Sequence, residues 1–400
     1  MPLGRPCLPA EVMFKNHEAS FSQSSYTTYV NNMNVKQAIK DTSMKEIKNS
    51  DIDFSSQKFF IGIDVHKKHW IITIQSNQVQ LKTFSMNPSA EELAEFVKKR
   101  YPGGDYYSVY EAGFCGYWIN KELNKYGIKN IIVNPADVPT SNKEKLTKTD
   151  KIDSRKLARE LENQTMKTIY VPTEKEQQLR SLCRLRYSLT KDQVRVKNRI
   201  KGHLYFYGKQ MPEGSKYWSG KFLGWLRELE FSDPLGKQYL SLCLDELIRV
   251  REKILAINKE LRKAAQENQF GQVVKKLYQT VPGIGFTSAI TLLTEIIDMK
   301  RFSNIEKLSS YVGLVPSISA SGQREQIKGL TVRKNKYLRY LLIESAWIAI
   351  KQDKALFQYY CSLTKRMNKK RAIISVARKL LNRIRHVWLT DEEYKTGFVK

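Results

Sequence analysis

The chain has 400 residues, enough for two or three domains with separate hydrophobic cores. Its 68 Lys and Arg residues against 40 Asp and Glu residues give a formal net charge of +28, which favours a polyanionic partner, nucleic acid before an anionic membrane. Apolar runs are too short for a membrane helix. The five scattered cysteines predict neither a disulfide framework nor a zinc site, and they fit a reducing cytoplasm.

The N-terminal segment, residues 1–57, is rich in Ser, Asn, Thr and Lys and lacks a sustained apolar period. We predict that it is mostly disordered, or that it is an extension ahead of the true start codon. A basic arm that touches nucleic acid is an equally open interpretation. No signal-peptide pattern is seen.

Residues 58–165 predict a small α/β domain. The predicted elements in chain order are strands at 59–65, 70–75 and 79–84, a helix at 88–99, a strand at 106–110, a helix at 117–126, a strand at 129–133 and a helix from about 150 to 161. Three antiparallel strands followed by alternating helices and strands are typical of a ribonuclease H-like domain.

Four carboxylates stand at the ends of these elements. Asp64 ends the first strand, Glu111 ends the fourth, and Asp150 and Asp153 lie one turn apart at the start of the last helix. In this topology the first and fourth strands are neighbours, so all four acids can meet at one edge of the sheet. Four clustered carboxylates stay ionised only around divalent cations, and oxygen ligands suit Mg²⁺ or Mn²⁺. Two such ions could activate a nucleophile at a phosphodiester and stabilise the leaving oxygen.

Three other side chains near these acids are interpreted as structural. His66 and His69 follow Asp64 in a short basic turn, and we treat them as turn residues rather than extra ligands. Cys115 lies close to Glu111 and is interpreted as a small packing residue rather than a nucleophile.

Residues 174–268 predict an antiparallel coiled-coil arm. Helices over 174–201 and 237–266 carry apolar stripes at helical spacing and flank an irregular insertion, 208–236. Between residues 180 and 201 there are eight basic side chains and a single acid, which indicates a surface that binds along the phosphate backbone of a nucleic acid. The nucleic-acid contacts assigned to this helix are Arg184, Lys191, Arg195 and Arg199.

Residues 275–352 predict a mostly helical domain. The run Val281-Pro-Gly-Ile-Gly285 before an apolar helix is either a helix-hairpin-helix-like turn that binds phosphate or a plain tight turn. A loop that carries Ser321 is surrounded by cations, from which we assign nucleic-acid contacts to Arg324, Arg333, Lys334 and Arg339. Loop serines alone are usually turn residues. Residues 353–400 predict a basic helical tail that binds nucleic acid rather than membrane.

These motifs together resemble the DEDD transposases of the IS110 insertion-sequence family. The matching segments are Gly-Ile-Asp64-Val, Tyr-Glu111-Ala-Gly, Lys-Thr-Asp150-Lys-Ile-Asp153, Val-Pro-Gly-Ile-Gly285, Tyr-Val-Gly-Leu-Val-Pro316, Ser321-Gly and Asn335-Lys-Tyr-Leu-Arg339. The resemblance covers about residues 58–352. It implies a RuvC-like domain of ribonuclease H fold, a coiled-coil arm and a second domain with a catalytic serine.

The resemblance also implies a reaction and its partners. A noncoding RNA from the element's flank would pair with target and donor DNA, and Ser321 would attack a DNA phosphate to form a covalent intermediate. Ser319 is the nearest competing serine. Strands would be exchanged within a homodimer or homotetramer, each site combining the RuvC-like domain of one subunit with the serine domain of another. The residues alone leave open a metal-dependent junction resolvase or a non-enzymatic nucleic-acid-binding protein.

Overall fold

The computed structural model describes residues 53–141, 149–267, 271–321 and 324–397, and only the backbone at 267, 318–321 and 324–328. The prediction of disorder therefore lies outside the described residues for positions 1–52. The chain divides into two compact units, one ending at Val171 and the other beginning at Pro172. Within these described ranges, no helix is both long enough and apolar enough to span a bilayer.

The first unit contains one mixed sheet with helices on both faces. Its elements are β1 (Lys58–Val65), β2 (Trp70–Ser76), β3 (Val79–Met86), α1 (Ala90–Arg100), β4 (Asp105–Glu111), α2 (Trp118–Lys125), β5 (Lys129–Val133) and α3 (Asp150–Glu162). The sheet order is β3-β2-β1-β4-β5; β1, β2 and β3 are antiparallel, whereas β4 is parallel to β1 and β5. The predicted element order is confirmed, and it is compatible with a ribonuclease H-like domain.

Strand β1 presents a different surface to each layer of helices. Ile61 and Ile63 are fully buried in the core that includes α1 and α2. Gly62, on the opposite face, lies against α3, where a Cβ atom would come within 2.0 Å of the Ser154 carbonyl oxygen and 2.5 Å of the Ala158 nitrogen. Only glycine allows this approach, so Gly62 sets how closely α3 lies on the sheet.

Polar bonds hold α3 to β2 and to the turn that follows it. Near its start, the Ser154 and Thr73 hydroxyl oxygens are 2.8 Å apart in a buried hydrogen bond. At its end, Glu162 accepts hydrogen bonds from the Gln75 side chain at 2.6 Å and from the Gln78 backbone N–H at 2.9 Å. Because both ends are tied, the first turn of α3 has a fixed place above the sheet.

The second unit is mostly helical, as predicted. Its elements are α4 (Glu174–Phe206), α5 (Gly220–Glu228), α6 (Pro234–Glu267), α7 (Gly271–Thr280), α8 (Phe286–Ile296), α9 (Ile305–Val312), β6 (Pro316–Ser321), β7 (Arg324–Leu330), α10 (Lys336–Gln352), α11 (Lys354–Thr364) and α12 (Lys369–Thr390). Strands β6 and β7 form an antiparallel pair.

The two long helices α4 and α6 pack side by side in opposite directions. Arg186 in α4 donates to Asn258 at 2.6 Å, whereas Arg199, further along α4, contacts Glu246, nearer the start of α6, at 2.5 Å. This pairing is the basis of the predicted arm, whose coiled-coil geometry stays a prediction.

The segment 208–236 contains a helix, which corrects the prediction of an irregular insertion. Ser219 caps α5 by accepting a hydrogen bond from the Phe222 N–H at 3.3 Å. Phe222 and Leu226 are buried with residues of α4 and α6, such as Ile200 and Leu244. The glycine-rich and tryptophan-rich composition obscured this short helix because its apolar period spans only two turns.

The helix predicted as a basic tail is part of the second unit's core. Ile373, Val376, Leu380 and Ile384 of α12 are buried in the same cluster as Leu342 of α10. The amphipathic pattern was correct, but its apolar face covers the unit's own core. Residues 353–397 therefore belong to this unit rather than forming a separate tail.

The glycine turn before α8 packs against α10. Gly283 has a φ of +75°, and its N–H donates to the Gln352 side chain at 2.9 Å. A Cβ atom there would lie 2.3 Å from the Ser345 carbonyl oxygen. That amide is used inside the fold, so the predicted role of the turn as a phosphate site stays a prediction.

Candidate active site

The parallel register of β1 and β4 brings Asp64 and Glu111 to the same end of the sheet. Ile63 pairs with Tyr110, and the two acids are the next residues along each strand. Asp64 lies on the same face of β1 as Gly62, and therefore faces α3. Strand alternation thus directs both carboxylates toward the start of that helix.

The first turn of α3 supplies the other two acids. Thr149 caps the helix, its hydroxyl accepting from the Ile152 N–H at 3.4 Å. Asp150 and Asp153 then occupy the first turn, where the helix dipole favours negative charge. The sequence pattern that placed them one turn apart on one face is confirmed by the helix that forms there.

His66 links Asp64 to Asp150. Its Nε2 lies 3.1 Å from Asp64 Oδ2 and 3.3 Å from Asp150 Oδ2. The sequence predicts a turn residue at this position, whereas in the structure the ring nitrogen lies between two of the four acids. A histidine two residues after a strand-ending aspartate was the available signal.

Lys156 links the remaining pair. Its Nζ lies 3.1 Å from Asp153 Oδ1 and 3.8 Å from Glu111 Oε1, and the side chain is buried. Lys156 is not among the predicted site residues, although it follows Asp153 by three positions and so lies on the same helical face. The four predicted acids, His66 and Lys156 form one cluster, which we call the carboxylate centre.

The surroundings of Asp64 in this centre disfavour its ionised form. Burial raises the pKa of Asp64, and the charges of Asp150 and Asp153 raise it further, while the charge and hydrogen bond of His66 oppose that rise. The centre therefore holds negative charge that its own cations offset only in part.

This donor set fits a divalent cation. Carboxylate oxygens from two strands and a helix converge within reach of a shared imidazole and a shared ammonium group, so an ion among them would relieve their repulsion. His66, His69 and Asp150 also place one ligand atom each within 4.8 Å of one another. The carboxylate oxygens of this set suit Mg²⁺ or Mn²⁺.

Ser321 belongs to the second unit. Its backbone ends β6 and pairs with Arg324 of β7, so it stands at the tip of a β-hairpin rather than in the flexible loop expected from the sequence. The side chains of Ser319, Ser321 and Arg324 lie outside the described part of the structure, and their roles stay predictions.

Arg184, predicted to contact nucleic acid, has a structural partner. Its Nε and Nη2 donate to the two oxygens of the buried Glu295 at 2.7 and 2.8 Å, and its guanidinium lies 4.9 Å from the centroid of the Tyr337 ring. Hydrogen bonding to Glu295 raises the pKa of Arg184. This geometry favours a role in holding α4 to α8 over a contact with phosphate.

The other predicted nucleic-acid residues are less enclosed. Arg195 and Arg199 pair with single acids, Asp192 and Glu246, and remain largely exposed. Lys191 lies 4.7 Å from the ring centroid of its neighbour Tyr187.

Near β7, Lys334 is exposed, as is Arg333, which makes contacts of its own. Arg339 donates to the Thr331 carbonyl oxygen at 2.6 Å and so braces the segment that leads into α10. The basic residues predicted to bind nucleic acid thus fall into two groups. Some, such as Arg184 and Arg339, make hydrogen bonds that stabilise the fold, and the others are exposed cations.

Comparison with known proteins places both units in one family. A family model described as a DEDD transposase of IS110 type matches residues 61–208, and a second, described as "Transposase IS116/IS110/IS902 family", matches residues 275–361. Together they cover more than half of the chain, and each falls on a region that carries one part of the predicted motif set.

Curated relatives agree with these matches. The chain is 26% identical over 366 residues to the transposase for insertion sequence element IS1111A of Coxiella burnetii, covering 89% of this chain and 93% of that protein. It is 27% identical over 299 residues to the transposase for insertion sequence element IS1533 of Leptospira borgpetersenii, covering 73% and 85%.

The matched family is one of DNA transposases that use divalent metal. The alternative of a protein without enzymatic activity is thereby set aside. The chain belongs to the IS110 family of insertion-sequence transposases.

Proposed function

We propose that this transposase cuts and rejoins DNA at a metal–carboxylate centre formed by Asp64, Glu111, Asp150 and Asp153, with Ser321 as nucleophile and a noncoding RNA as guide. The observation that carries the proposal is the convergence of four acids, from β1, β4 and the first turn of α3, around His66 and Lys156. A merely structural role would not require four acids to share one imidazole and one ammonium group at one edge of a sheet.

The four carboxylates would hold one or two divalent ions, Mg²⁺ or Mn²⁺, which when bound supply Lewis-acid stabilisation of charge on phosphate oxygens. The protein's own task is to keep the acids in place. Lys156 holds Glu111 and Asp153 against each other, and the close approach at Gly62 holds α3 on β1. Preorganisation of this kind avoids rearrangement at the moment of reaction.

Ser321 would form the covalent link to DNA. Its hydroxyl oxygen bonds to phosphorus as the proton passes to a base; the bond from phosphorus to a deoxyribose oxygen breaks, and that oxygen leaves as a hydroxyl after gaining a proton. The hairpin position of its backbone supports this role, because the tip of a two-stranded ribbon can reach into a DNA groove.

Partner binding is supported by charge and by exposed aromatic residues. The net charge of +28 suits a complex that holds both RNA and DNA. At the end of α4, Tyr205 and Phe206 are 90% and 81% exposed, close to basic residues such as Arg199 and Lys209. Exposed rings beside cations can stack on unpaired bases. We propose a homodimer or homotetramer as the working assembly.

The chemistry is tested with the full chain, its flanking DNA and any bound RNA. Wild type, Asp64→Asn, Ser321→Ala and the neighbouring control Ser319→Ala are compared for DNA products and for protein–DNA adducts that survive denaturation. We expect adducts in wild type and Ser319→Ala, and neither adducts nor exchanged strands in Asp64→Asn or Ser321→Ala. Intact strand exchange in Ser321→Ala would support a nuclease-like reaction that uses only the four acids.

The guide is tested by purifying the chain after expression with its native flanks and sequencing the RNA that remains bound. A single discrete RNA that maps beside the gene supports guided recombination. Heterogeneous RNA would instead indicate binding through charge alone and would contradict this part of the proposal.

A further inference from the structure

Two histidines stand at the edge of the carboxylate centre. The turn His66-Lys67-Lys68-His69 joins β1 to β2 and is closed by a hydrogen bond from the His66 N–H to the His69 carbonyl oxygen at 3.1 Å. The two imidazole rings stack with centroids 4.9 Å apart and planes 25° from parallel. The turn therefore fixes both rings on the side of the centre formed by Asp64 and Asp150.

His66 Nε2 lies close to two of the four acids. It lies 3.1 Å from one Asp64 oxygen and 3.3 Å from one Asp150 oxygen. Two neighbouring ligands around a six-coordinate ion with bonds of about 2.1 Å are separated by about 3 Å. The nitrogen is thus about one ligand-to-ligand spacing from each of these two carboxylate oxygens.

His69 extends the same arrangement. One ring nitrogen of His69, one of His66 and one oxygen of Asp150 lie within 4.8 Å of one another. A set of two imidazoles and a carboxylate is typical of sites for first-row transition ions, whereas Mg²⁺ is held almost entirely by oxygen.

We infer that His66, supported by His69, is a nitrogen ligand of the carboxylate centre, and that the centre selects a divalent transition ion such as Mn²⁺ over Mg²⁺. This inference rests on the proposed metal centre and adds the class of ion to it. The alternative is that the imidazole acts only as a positive charge between Asp64 and Asp150. A charge alone would not distinguish one divalent ion from the other.

The test uses the full chain, freed of metal, with Mn²⁺ as probe. Free Mn²⁺ is counted from its electron paramagnetic resonance signal, and Mg²⁺ affinity is obtained by competition. The variants are His66→Gln, His69→Gln and the exposed control His386→Gln in α12. A pulsed resonance experiment on bound Mn²⁺ detects the coupling of a directly bonded nitrogen.

We expect wild type and His386→Gln to show the nitrogen coupling and a preference for Mn²⁺. In His66→Gln the coupling is lost and Mn²⁺ affinity falls by about 10- to 100-fold, while Mg²⁺ affinity changes by less than about threefold, because the amide oxygen can still serve a hard ion. For His69→Gln we expect a smaller loss, about three- to tenfold.

Equal losses for Mn²⁺ and Mg²⁺ in His66→Gln, or an unchanged nitrogen coupling, would overturn the inference. Asp64→Asn separates this failure from a failure of the proposed function. If Asp64→Asn removes metal binding while His66→Gln leaves it unchanged, the carboxylate centre stands and the imidazole ligand is wrong. If Asp64→Asn leaves metal binding unchanged, the metal centre itself is wrong.

Discussion

Carboxylates have opposite surroundings in the two units: the buried Glu295 of the second unit has several donors to itself, whereas the acids of the carboxylate centre in the first unit share theirs. Glu295 is 1% exposed, and its oxygens accept hydrogen bonds from the Arg184 guanidinium and from the Asn335 side chain at 2.8 Å. In the carboxylate centre, four acids share one imidazole and one buried ammonium group among their contacts.

This comparison separates a carboxylate that stabilises the fold from carboxylates that are proposed to bind metal. A single carboxylate with three donors is electrically satisfied and joins α4, α8 and α10. In the proposed metal centre, four acids that share one imidazole and one ammonium group would keep negative charge for a ligand, and the raised pKa of Asp64, caused first by burial, shows that holding this charge is costly. Four experiments test this contrast.

Removing one charge from each region gives the largest contrast. Asp64→Asn should lower strand transfer by more than about 100-fold, since even the outer partners of metal ligands are worth 10- to 100-fold, while leaving thermal stability equal or higher. Glu295→Gln should lower the free energy of unfolding by about 2–3 kcal/mol. DNA-product assays and urea unfolding of both variants test this. A large stability loss in Asp64→Asn would abolish the distinction.

Arg184→Ala tests the structural side of the comparison. It leaves the buried Glu295 with Asn335 as its remaining side-chain donor, so we expect a loss of about 3 kcal/mol, the lower end for broken buried pairs because the Arg184 side chain is 42% exposed. Lys191→Ala, on the same helix, serves as control and should change stability little. If Arg184→Ala lowers the free energy of DNA binding by more than it lowers the free energy of unfolding, the predicted contact of Arg184 with phosphate is supported instead.

Gly62→Ala tests whether close packing builds the carboxylate centre. The added methyl group meets the backbone of Ser154 and Ala158, so α3 must shift, at a cost of about 2–3 kcal/mol. Gly202→Ala in α4 is the matched control, because nothing lies within 4 Å of its Cβ position; it should stabilise the chain by up to about 1 kcal/mol. Unfolding curves and Mn²⁺ binding are compared. Wild-type stability in Gly62→Ala would contradict the packing argument.

Substitution of Asp353 should give the smallest change in the free energy of unfolding, and that change should depend on pH. Burial alone would raise its pKa, but hydrogen bonds from the Tyr394 hydroxyl and the Leu356 N–H, with the charge of Arg383, lower it below 3.8. A lowered folded-state pKa gives stability that is present above about pH 4 and lost as pH falls through that pKa.

We therefore expect Asp353→Asn to cost about 1–2 kcal/mol at pH 6 and progressively less below pH 4. The measurement is urea unfolding across that range, with the exposed Asp245→Asn as control. A deficit that is independent of pH would show that the ionised form of Asp353 contributes nothing.

Much of the fold and the four acids of the carboxylate centre could be predicted from local pattern. Strand β5 has the predicted bounds because its β-branched run and the following Asn-Pro define it. The four acids were found because each stands where a strand or helix must end or begin. Helix α5 and the burial of α12 were not predicted because a short or basic amphipathic segment has the same pattern whether a partner or the chain's own core covers its apolar face.

Local sequence pattern was enough to place residues at the ends of elements, and therefore to predict that Asp64, Glu111, Asp150 and Asp153 share one edge of the sheet. The partners of these acids depend on packing between elements distant in the chain. His66 and Lys156 reach the acids, and Arg184 reaches Glu295, 111 positions away in the chain. The periodicity of a helix or strand determines the face on which a side chain lies. The partner of a long cationic side chain instead depends on which acids the packing of the fold brings within a few ångströms of its charge.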